Sequence, residues 1–149
     1  MDIVGKLYNS HLNIQAIKYL QNRGFTKETI QRFNIGYANI SWSKKVNNLV
    51  YSQEFENSLI KVGHLFKRKT GIICDKFYQR IVFPIRNLQG KTLGFGGRVM
   101  TTSFPKYINS SDSIIFSKGK CLYGIYEKKD NCFDQPVLIV EGYTDVMML

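Results

Sequence analysis

The sequence has 149 residues, of which 44% are hydrophobic and 13% aromatic, and its formal net charge is +10. This apolar content is enough for a packed core and argues against a disordered chain. No apolar run approaches the length of a membrane span, and the three cysteines, Cys74, Cys121 and Cys132, have no paired spacing, so we expect a reduced, cytoplasmic protein without membrane partner or zinc site.

Residues 1–36 predict a helical lead-in. Residues 13–22 carry apolar side chains at helical spacing, with Gly24 as the helix stop, and Thr26 is placed to cap a second helix through about Phe33. The expected apolar positions are Ile14, Ile17 and either Ala16 or Leu20 in the first helix, and Ile30 and Phe33 in the second. A DNA-reading helix-turn-helix is the alternative, but the second helix is too short to read a groove well. A helical hairpin packed at the edge of the core is therefore favoured.

Residues 80–99 predict a β-hairpin with one core face and one basic face. From Arg80 the apolar period changes to two, and residues 87–90 form a turn before a second strand that ends near Val99. Pro84 indicates a sheet edge or a bulge, since it cannot donate to a ladder. The core face is expected to hold Ile81, Phe83 and Ile85, and the basic face Arg80, Val82, Pro84 and Arg86.

The second strand of this hairpin is rich in glycine. Gly94, Gly96 and Gly97 leave its backbone nearly bare beside Arg98. Bare backbone permits the close approach of another chain or of a nucleic-acid backbone. The same glycines also suit a bulge that curves the sheet, and the two interpretations are compatible.

Positive charge is concentrated in the middle of the chain. Nine Lys or Arg residues and one acid, Asp75, lie between Lys61 and Arg98, whereas residues 112–145 hold six of the eleven acids. A basic stripe of this kind raises the local concentration of polyanions and makes their binding depend on salt. The alternative is a solvated surface that serves only solubility.

The segment PKYINS combines three groups that suit single-stranded nucleic acid. Lys106 offers a charge for phosphate, Tyr107 a flat surface for base stacking, and Asn109 an amide that both donates and accepts. Simple packing of Tyr107 at a loop end is the alternative.

The last fourteen residues, PVLIVEGYTDVMML, predict a buried parallel strand over 137–140 that delivers a carboxylate. Glu141 lies at the carboxyl end of that strand, where α/β sheets bind ligands, and Gly142 permits the turn that follows. If the chain is helical from Tyr143, Asp145 faces the same crevice. An exposed acid in a strand-to-helix loop is the alternative.

Four blocks occur in order over about seventy residues: YQRIVFPIRNLQGKTLGFGGRV, PKYINS, IFSKGKCLYGIY and VLIVEGYTDV. Together they resemble the catalytic core of bacterial replicative DNA primases of the DnaG type, and YLQNRGFTKETIQRFNIGYA is similar to the helical lead-in of that family. The likeness covers nearly the whole chain from Ile14 onward. It implies an α+β fold with a helical lead-in (1–36), a mixed basic-faced sheet in a template-binding subdomain (37–135), and the first strand and turn of a Toprim domain (136–149).

The resemblance also implies roles for individual residues. The implied function is synthesis of short RNA primers from ribonucleoside triphosphates on single-stranded DNA, with Mg²⁺ or Mn²⁺ in the complete enzyme. The implied catalytic acids are Glu141 and Asp145, with Glu141 as a metal ligand. The implied template contacts are Arg98, Lys106, Tyr107 and Asn109, with Arg80, Arg86 and Lys118 nearby.

Parts typical of the family are not found in this sequence. The zinc ribbon and the later Toprim aspartates are absent, and the replicative helicase is expected to bind through a part that is absent as well. We therefore expect this chain alone to make no primer. The alternatives are a non-catalytic single-stranded-DNA-binding remnant or split-protein partner, and a different Toprim protein such as a topoisomerase, against which GFGGR and PKYINS argue.

Overall fold

The computed structural model describes residues 1–39, 53–128 and 136–149. The helices are α1 (Asp2–Ser10), α2 (Ile14–Gln21), α3 (Lys27–Arg32), α4 (Gln53–Lys61), α5 (Ile125–Lys128) and α6 (Tyr143–Met148), with a 3₁₀ turn at Lys118–Lys120. The strands are β1 (Gly36–Tyr37), β2 (Leu65–Lys67), β3 (Ile73–Asp75), β4 (Arg80–Arg86), β5 (Thr92–Val99) and β6 (Tyr107–Asn109). This combination confirms the α+β class. None of the described helices is long and apolar enough to cross a membrane.

The two lead-in helices begin and end where the sequence predicts. The Asn13 side chain accepts a hydrogen bond from the Ala16 amide, and the Thr26 hydroxyl accepts one from the Thr29 amide, so both helices have N-caps. Gly24 follows α2 with a φ of +91°, a conformation that glycine adopts without strain. The α2–α3 pair packs as a helical hairpin on the core, as expected.

The apolar side of α2 differs from the prediction. Ala16 and Leu20 are buried, whereas Ile14 is 71% exposed in the first turn. Helix α1 was not predicted, although Val4 and Tyr8, four residues apart, form its buried side. A single pair at i and i+4 is too short a pattern to indicate a helix with certainty.

The main sheet has the order β1-β4-β5-β6, and a second sheet pairs β2 with β3. Every strand pair in the described ranges is antiparallel, whereas a mixed sheet was expected. The β4–β5 hairpin is confirmed, and its register shifts between Ile85 and Arg86, next to Pro84. Pro84 also lies beyond the two-residue pairing of β4 with β1, where no described strand needs its missing N–H.

The expected basic face of β4 is wrong, because β4 is buried on both faces. Ile81 and Phe83 pack with the lead-in helices, while Val82 packs on the other side with Tyr8, among others. Arg80 is itself buried. Residue alternation cannot reveal a second covered face, because the cover comes from parts of the chain that are distant in sequence.

The glycines of β5 serve this chain's own aromatic side chains. A Cβ at Gly97 would lie 2.6 Å from the Phe77 ring, and one at Gly96 would collide with the Tyr143 ring. Phe77 and Tyr143 therefore occupy the space that the sequence left open for a nucleic-acid backbone. The backbone of β5 is bare, as predicted. At Gly96 and Gly97, however, aromatic rings of this chain and not a nucleic-acid backbone lie against it.

The predicted strand over residues 137–140 does not form. Val137, Leu138 and Ile139 are 70, 67 and 77% exposed and pair with no described strand. A parallel strand needs hydrogen-bonding neighbours, and the described residues supply none beside it. The subdomain limits at 36/37 and 135/136 stay predictions; residues 40–52 and 129–135, including Cys132, lie outside the described residues.

Candidate nucleic-acid interface

One end of the main sheet gathers most of the predicted template contacts. In the β5–β6 pairing Arg98 lies opposite Tyr107, and in the β4–β5 pairing Arg80 lies opposite Val99. Lys106 precedes β6 and is exposed. The antiparallel register thus brings together residues that are up to 27 positions apart, from Arg80 to Tyr107.

Arg98 lies between two tyrosines at this sheet end. Its Nε donates to the Tyr19 hydroxyl at 2.8 Å, and its Nη1 donates to the Tyr107 hydroxyl. The guanidinium carbon lies 5.7 Å from the centroid of the Tyr19 ring and 4.9 Å from that of Tyr107, within cation–π range. Arg98 is 4% exposed, and no carboxylate of a described residue lies within 4 Å of it. Among the described residues, the Arg98 charge therefore has no paired carboxylate, and it lies next to the partly exposed ring of Tyr107.

Arg80 supports the loop that leads into β6. Its Nη1 donates to the carbonyl oxygens of Pro105, at 2.9 Å, and Lys106, at 3.4 Å. The Val99 amide donates to the same Lys106 carbonyl at 3.2 Å. Partial burial lowers the pKa of Arg80 from its usual value. These contacts fix the backbone that presents the Lys106 side chain to solvent.

Asn109 connects β6 to the acidic segment. Its Oδ1 accepts a hydrogen bond from the Tyr143 hydroxyl at 2.6 Å. The Tyr143 ring stacks on Phe83, with 5.5 Å between centroids, and covers Gly96. Burial raises the pKa of Tyr143 to about 12, so its hydroxyl remains a donor at neutral pH. Tyr143 thus joins β6, which carries the predicted template contacts, to the segment that carries Glu141 and Asp145. The sequence analysis did not single out this side chain.

The two predicted catalytic acids flank Gly142. The chain is helical from Tyr143, as expected, and the Asp145 Oδ2 accepts a hydrogen bond from the Gly142 amide at 3.1 Å. Glu141 is exposed. Oxygen donors suit Mg²⁺, but the described residues contain no group of three or more His, Cys, Asp or Glu that could hold a metal ion. Glu141 and Asp145 therefore do not fit a complete metal site.

Arg86 and Lys118 lie apart from the Arg98 site. Arg86 forms an ion pair with Glu127, donates to the Arg32 carbonyl at 2.8 Å, and has its guanidinium carbon 4.5 Å from the Tyr126 ring centroid. It is six residues from Arg80 along β4, roughly 20 Å at the usual rise. Lys118 begins the 3₁₀ turn, where its amide donates to the Asp112 carboxylate at 2.9 Å. Both stay predicted contacts, but neither adjoins Tyr107.

Tyr19 is the functional candidate that sequence reasoning missed. It lies on α2, 79 positions before Arg98, and is not one of the fully buried residues of that helix. Tyr19 packs, partly buried, against the core cluster of the lead-in helices, so its presence in the sequence is explained by packing alone. Only the tertiary contact with Arg98 identifies it.

Comparison with known proteins identifies the family. The sequence model described as "DNA primase catalytic core, N-terminal domain" matches residues 4–129. This chain belongs to the DNA primase catalytic-core family. The DNA primase of Haemophilus influenzae is 45% identical over 139 residues, which cover 93% of this chain and 23% of that protein. The DNA primase of Escherichia coli K12 is 40% identical over 154 residues, covering 100% of this chain and 26% of that protein.

Solved primase structures share the fold. The E. coli primase catalytic core superposes with a TM-score of 0.89 at 40% identity, covering 99% of this chain and 49% of that one. A DnaG primase catalytic domain bound to ssDNA superposes with a TM-score of 0.88 at 40% identity, covering 98% and 49% respectively. The chain spans about a quarter of the length of the curated primases it matches.

Proposed function

We propose that this chain binds the single-stranded DNA template of a DNA primase and supplies part of its acidic site. The observation that carries the proposal is the Arg98 charge, which is held between Tyr19 and Tyr107 without a carboxylate of a described residue within 4 Å. The positive potential of this buried group attracts the phosphates of a nucleic acid, which the exposed Lys106 can contact, and Tyr107 adds a face for base stacking. The similar DnaG domain that was solved with ssDNA supports this choice of ligand.

Each residue of the site has a distinct task in this proposal. Lys106 neutralises a template phosphate, Tyr107 stacks on a base, and Arg98 holds the Tyr107 ring in place. Arg80 fixes the backbone that carries Lys106. Phosphate contacts and stacking position a strand without reading its sequence, so we expect binding at this site to be independent of sequence.

The acidic segment contributes Glu141 to a site that further residues must complete. The bond between Asn109 and Tyr143 holds the start of α6 against the sheet. It therefore fixes the position of Glu141 and Asp145 relative to β6. Phosphoryl transfer with two metal ions needs several carboxylates, and the described residues offer two here, of which Asp145 also accepts the Gly142 amide. We therefore assign no metal-dependent step to this chain alone. In the complete enzyme, Mg²⁺ or Mn²⁺, ribonucleoside triphosphates and the replicative helicase are the proposed partners.

A non-catalytic role in single-stranded DNA binding is the second candidate. It rests on template binding alone and assigns no task to Glu141, which is exposed. The two candidates agree on template binding and differ on whether added residues restore catalysis.

The test that separates them is reconstitution of primer synthesis. This chain is mixed with a separate polypeptide that carries the rest of a relative's catalytic core, and labelled ribonucleotide incorporation is measured on single-stranded template with Mg²⁺ or Mn²⁺. We expect primers only in the mixture and their loss with Glu141→Gln, which keeps the shape and removes the charge. Glu28→Gln, an exposed acid on α3, is the matched control and should retain activity. Primer synthesis by the 149-residue chain alone would contradict the account of the acidic site.

A further inference from the structure

The β2–β3 hairpin forms a second basic and aromatic surface next to the proposed template site. The turn that joins its strands is closed by hydrogen bonds from the Arg68 amide to the Ile72 carbonyl and from the Gly71 amide to the Arg68 carbonyl, both 2.9 Å. Gly71 has a φ of +83°, which favours glycine. We call the following set the hairpin surface: Phe66, Lys67, Arg68, Lys69 and Ile72.

The base of this hairpin is fixed in the core. The Tyr8 hydroxyl donates to the Asp75 carboxylate at 2.5 Å and lies 2.8 Å from the His64 Nε2. Leu65 is buried in the same hydrophobic cluster as Tyr8. The other carboxylate oxygen of Asp75 accepts a hydrogen bond from the Phe77 amide at 2.7 Å. The hairpin surface is therefore carried on a rigid support, which reduces the entropy that a ligand must overcome.

The exposed side of the hairpin combines charge with apolar faces. Phe66 is 47% exposed and Ile72 is 52% exposed, and all three cations of the turn are exposed. In the described ranges, no carboxylate lies within 4 Å of Lys67, Arg68 or Lys69. Exposed cations without counter-ions attract a polyanion, and an exposed ring beside them offers a stacking face for a base.

A groove runs from the hairpin surface to the chain just beyond β6, and its lining includes none of the predicted template contacts. It is lined by Ile60, Leu65, Phe66, Lys67, Lys76 and Ser111. Ser111 is two residues beyond Asn109, the last residue of β6, and its hydroxyl accepts a hydrogen bond from the Lys76 ammonium at 2.8 Å. A Cβ at Gly63, just before β2, would lie 3.1 Å from the Ser111 side chain, so the two segments are in close contact. Arg98 and Tyr107 lie on the side of the main sheet that faces the lead-in helices, whereas the hairpin packs on the other side with Tyr8. A strand bound at Tyr107 therefore reaches the hairpin by crossing β6, which is the edge of the main sheet in the described residues.

We propose that the hairpin surface is a second contact site for single-stranded DNA, which extends the path of the strand beyond β6. Phe66 stacks on a base, and Lys67, Arg68 and Lys69 neutralise phosphates. This inference rests on the proposed template binding at Arg98 and Tyr107, since it continues the same strand. An acidic protein segment would satisfy the cations but would have no base to place on Phe66.

Oligonucleotide length separates the two sites. Fluorescence anisotropy is measured with labelled oligo-dT of about 6 and about 16 nucleotides, within the range of known single-strand site sizes. The variant Lys67→Gln/Arg68→Gln/Lys69→Gln should bind the short oligonucleotide like the wild type and lose most of the gain in affinity that length gives. Each phosphate contributes about 0.7 to the slope of the logarithm of affinity against the logarithm of salt concentration. If the variant loses three phosphate contacts, this slope on the long oligonucleotide should be shallower by about 2. The matched control is Lys6→Gln/Lys18→Gln/Lys27→Gln, which removes the same charge from exposed helix positions.

The role of Phe66 is tested by cross-linking. Iodouracil-substituted long oligonucleotide should cross-link to Phe66 on irradiation, as mapped by mass spectrometry, and Phe66→Leu should lose the cross-link while Phe66→Trp retains it. The inference would be overturned if the hairpin variant and the helix control lost the same affinity, or if the hairpin variant lost as much affinity for the short oligonucleotide as for the long one. It would also be overturned if polyglutamate displaced the DNA as readily as unlabelled DNA does. Wild-type protein that binds neither oligonucleotide would overturn the proposed function with it, whereas binding that ignores the hairpin would overturn the hairpin site alone.

Discussion

Arg98 is the residue on which the proposed site depends. Lysine in its place would keep the charge but lose the planar group that bonds to two tyrosine hydroxyls. We expect Arg98→Lys to weaken binding of single-stranded DNA about tenfold, equivalent to about 1.4 kcal/mol, because the Tyr107 ring is no longer held. Anisotropy titration measures the change, with Arg23→Lys, at an exposed position before Gly24, as the control. Unchanged affinity in Arg98→Lys would show that the tyrosine contacts do not matter for binding.

His64 makes the stability of the fold depend on pH. Burial, followed by the positive amino terminus and Lys76, lowers the pKa of His64 to about 3. Its ring packs against those of Tyr8, Phe77 and Phe95, and Asp75 shares the Tyr8 hydroxyl. In the unfolded chain the pKa of histidine is about 6.5. As the pH falls below 6.5, the unfolded state gains a proton that the folded state does not accept, so His64 reduces the free energy of unfolding until the pH reaches about 3.

Below pH 6.5, His64 should lower the free energy of unfolding by up to about 1.4 kcal/mol for each pH unit. Above pH 6.5 it should cause no change. Urea unfolding between pH 7.5 and 4.5 measures it, and His64→Gln is the comparison because its side chain does not titrate. The variant should be less stable than the wild type at pH 7.5, and the difference should shrink as the pH falls. Parallel stability curves for the two proteins would mean that His64 takes up its proton equally in both states.

At the scale of elements, local patterns predicted α2, α3 and the β4–β5 hairpin, but they did not predict α1, α4 or the β2–β3 hairpin, nor what covers the predicted elements. The alternation over residues 80–99 predicted both arms of the hairpin, because the period of two is a property of the strand itself. It missed the second buried face of β4, since Val82 meets α1 residues from the start of the chain. The PKYINS segment was predicted as a set of nucleic-acid contacts and not as a strand, and it forms β6 beside Arg98. Tyr19 and Tyr143 join the site only through tertiary contacts. Residues 137–140 have the composition of a parallel strand, but no strand in the described part of the chain lies beside them to pair with.

Hydrogen exchange should reflect this difference between elements. Backbone amides of residues 137–141 are expected to exchange rapidly, while those of Ile81–Val99 stay protected. Helix α6 should be intermediate, because Tyr143 anchors it to the sheet and its Thr144 and Met147 are buried. Tyr143→Phe removes the bond to Asn109 at a cost of about 1 kcal/mol, so exchange in α6 should be about fivefold faster. Tyr78→Phe, which changes an exposed tyrosine, is the control for Tyr143→Phe. Equal protection of the amides in residues 137–141 and in the β4–β5 hairpin would be inconsistent with the fold described.

At the scale of the whole molecule, the chain unites a basic sheet end with the beginning of an acidic segment. It belongs to the primase catalytic-core family and spans about a quarter of the curated primases that it matches. The sheet end is built within the described residues, whereas we propose that further carboxylates complete the acidic site, since the described residues contain no group of three or more possible metal ligands. The central claim is therefore that template binding is the activity this chain carries by itself.

Salt-dependent binding of a short single-stranded oligonucleotide tests that claim most directly. If Lys106 and the positive potential of Arg98 together neutralise about two phosphates at the sheet end, the logarithm of the affinity should fall with the logarithm of salt concentration at a slope of about −1.4. Lys106→Gln should make the slope shallower by about 0.7 and weaken binding alike on every base sequence, whereas Lys18→Gln, on α2, should change neither. Affinity that does not respond to salt, or that shifts its base preference with Lys106→Gln, would contradict a template site built on phosphate contacts.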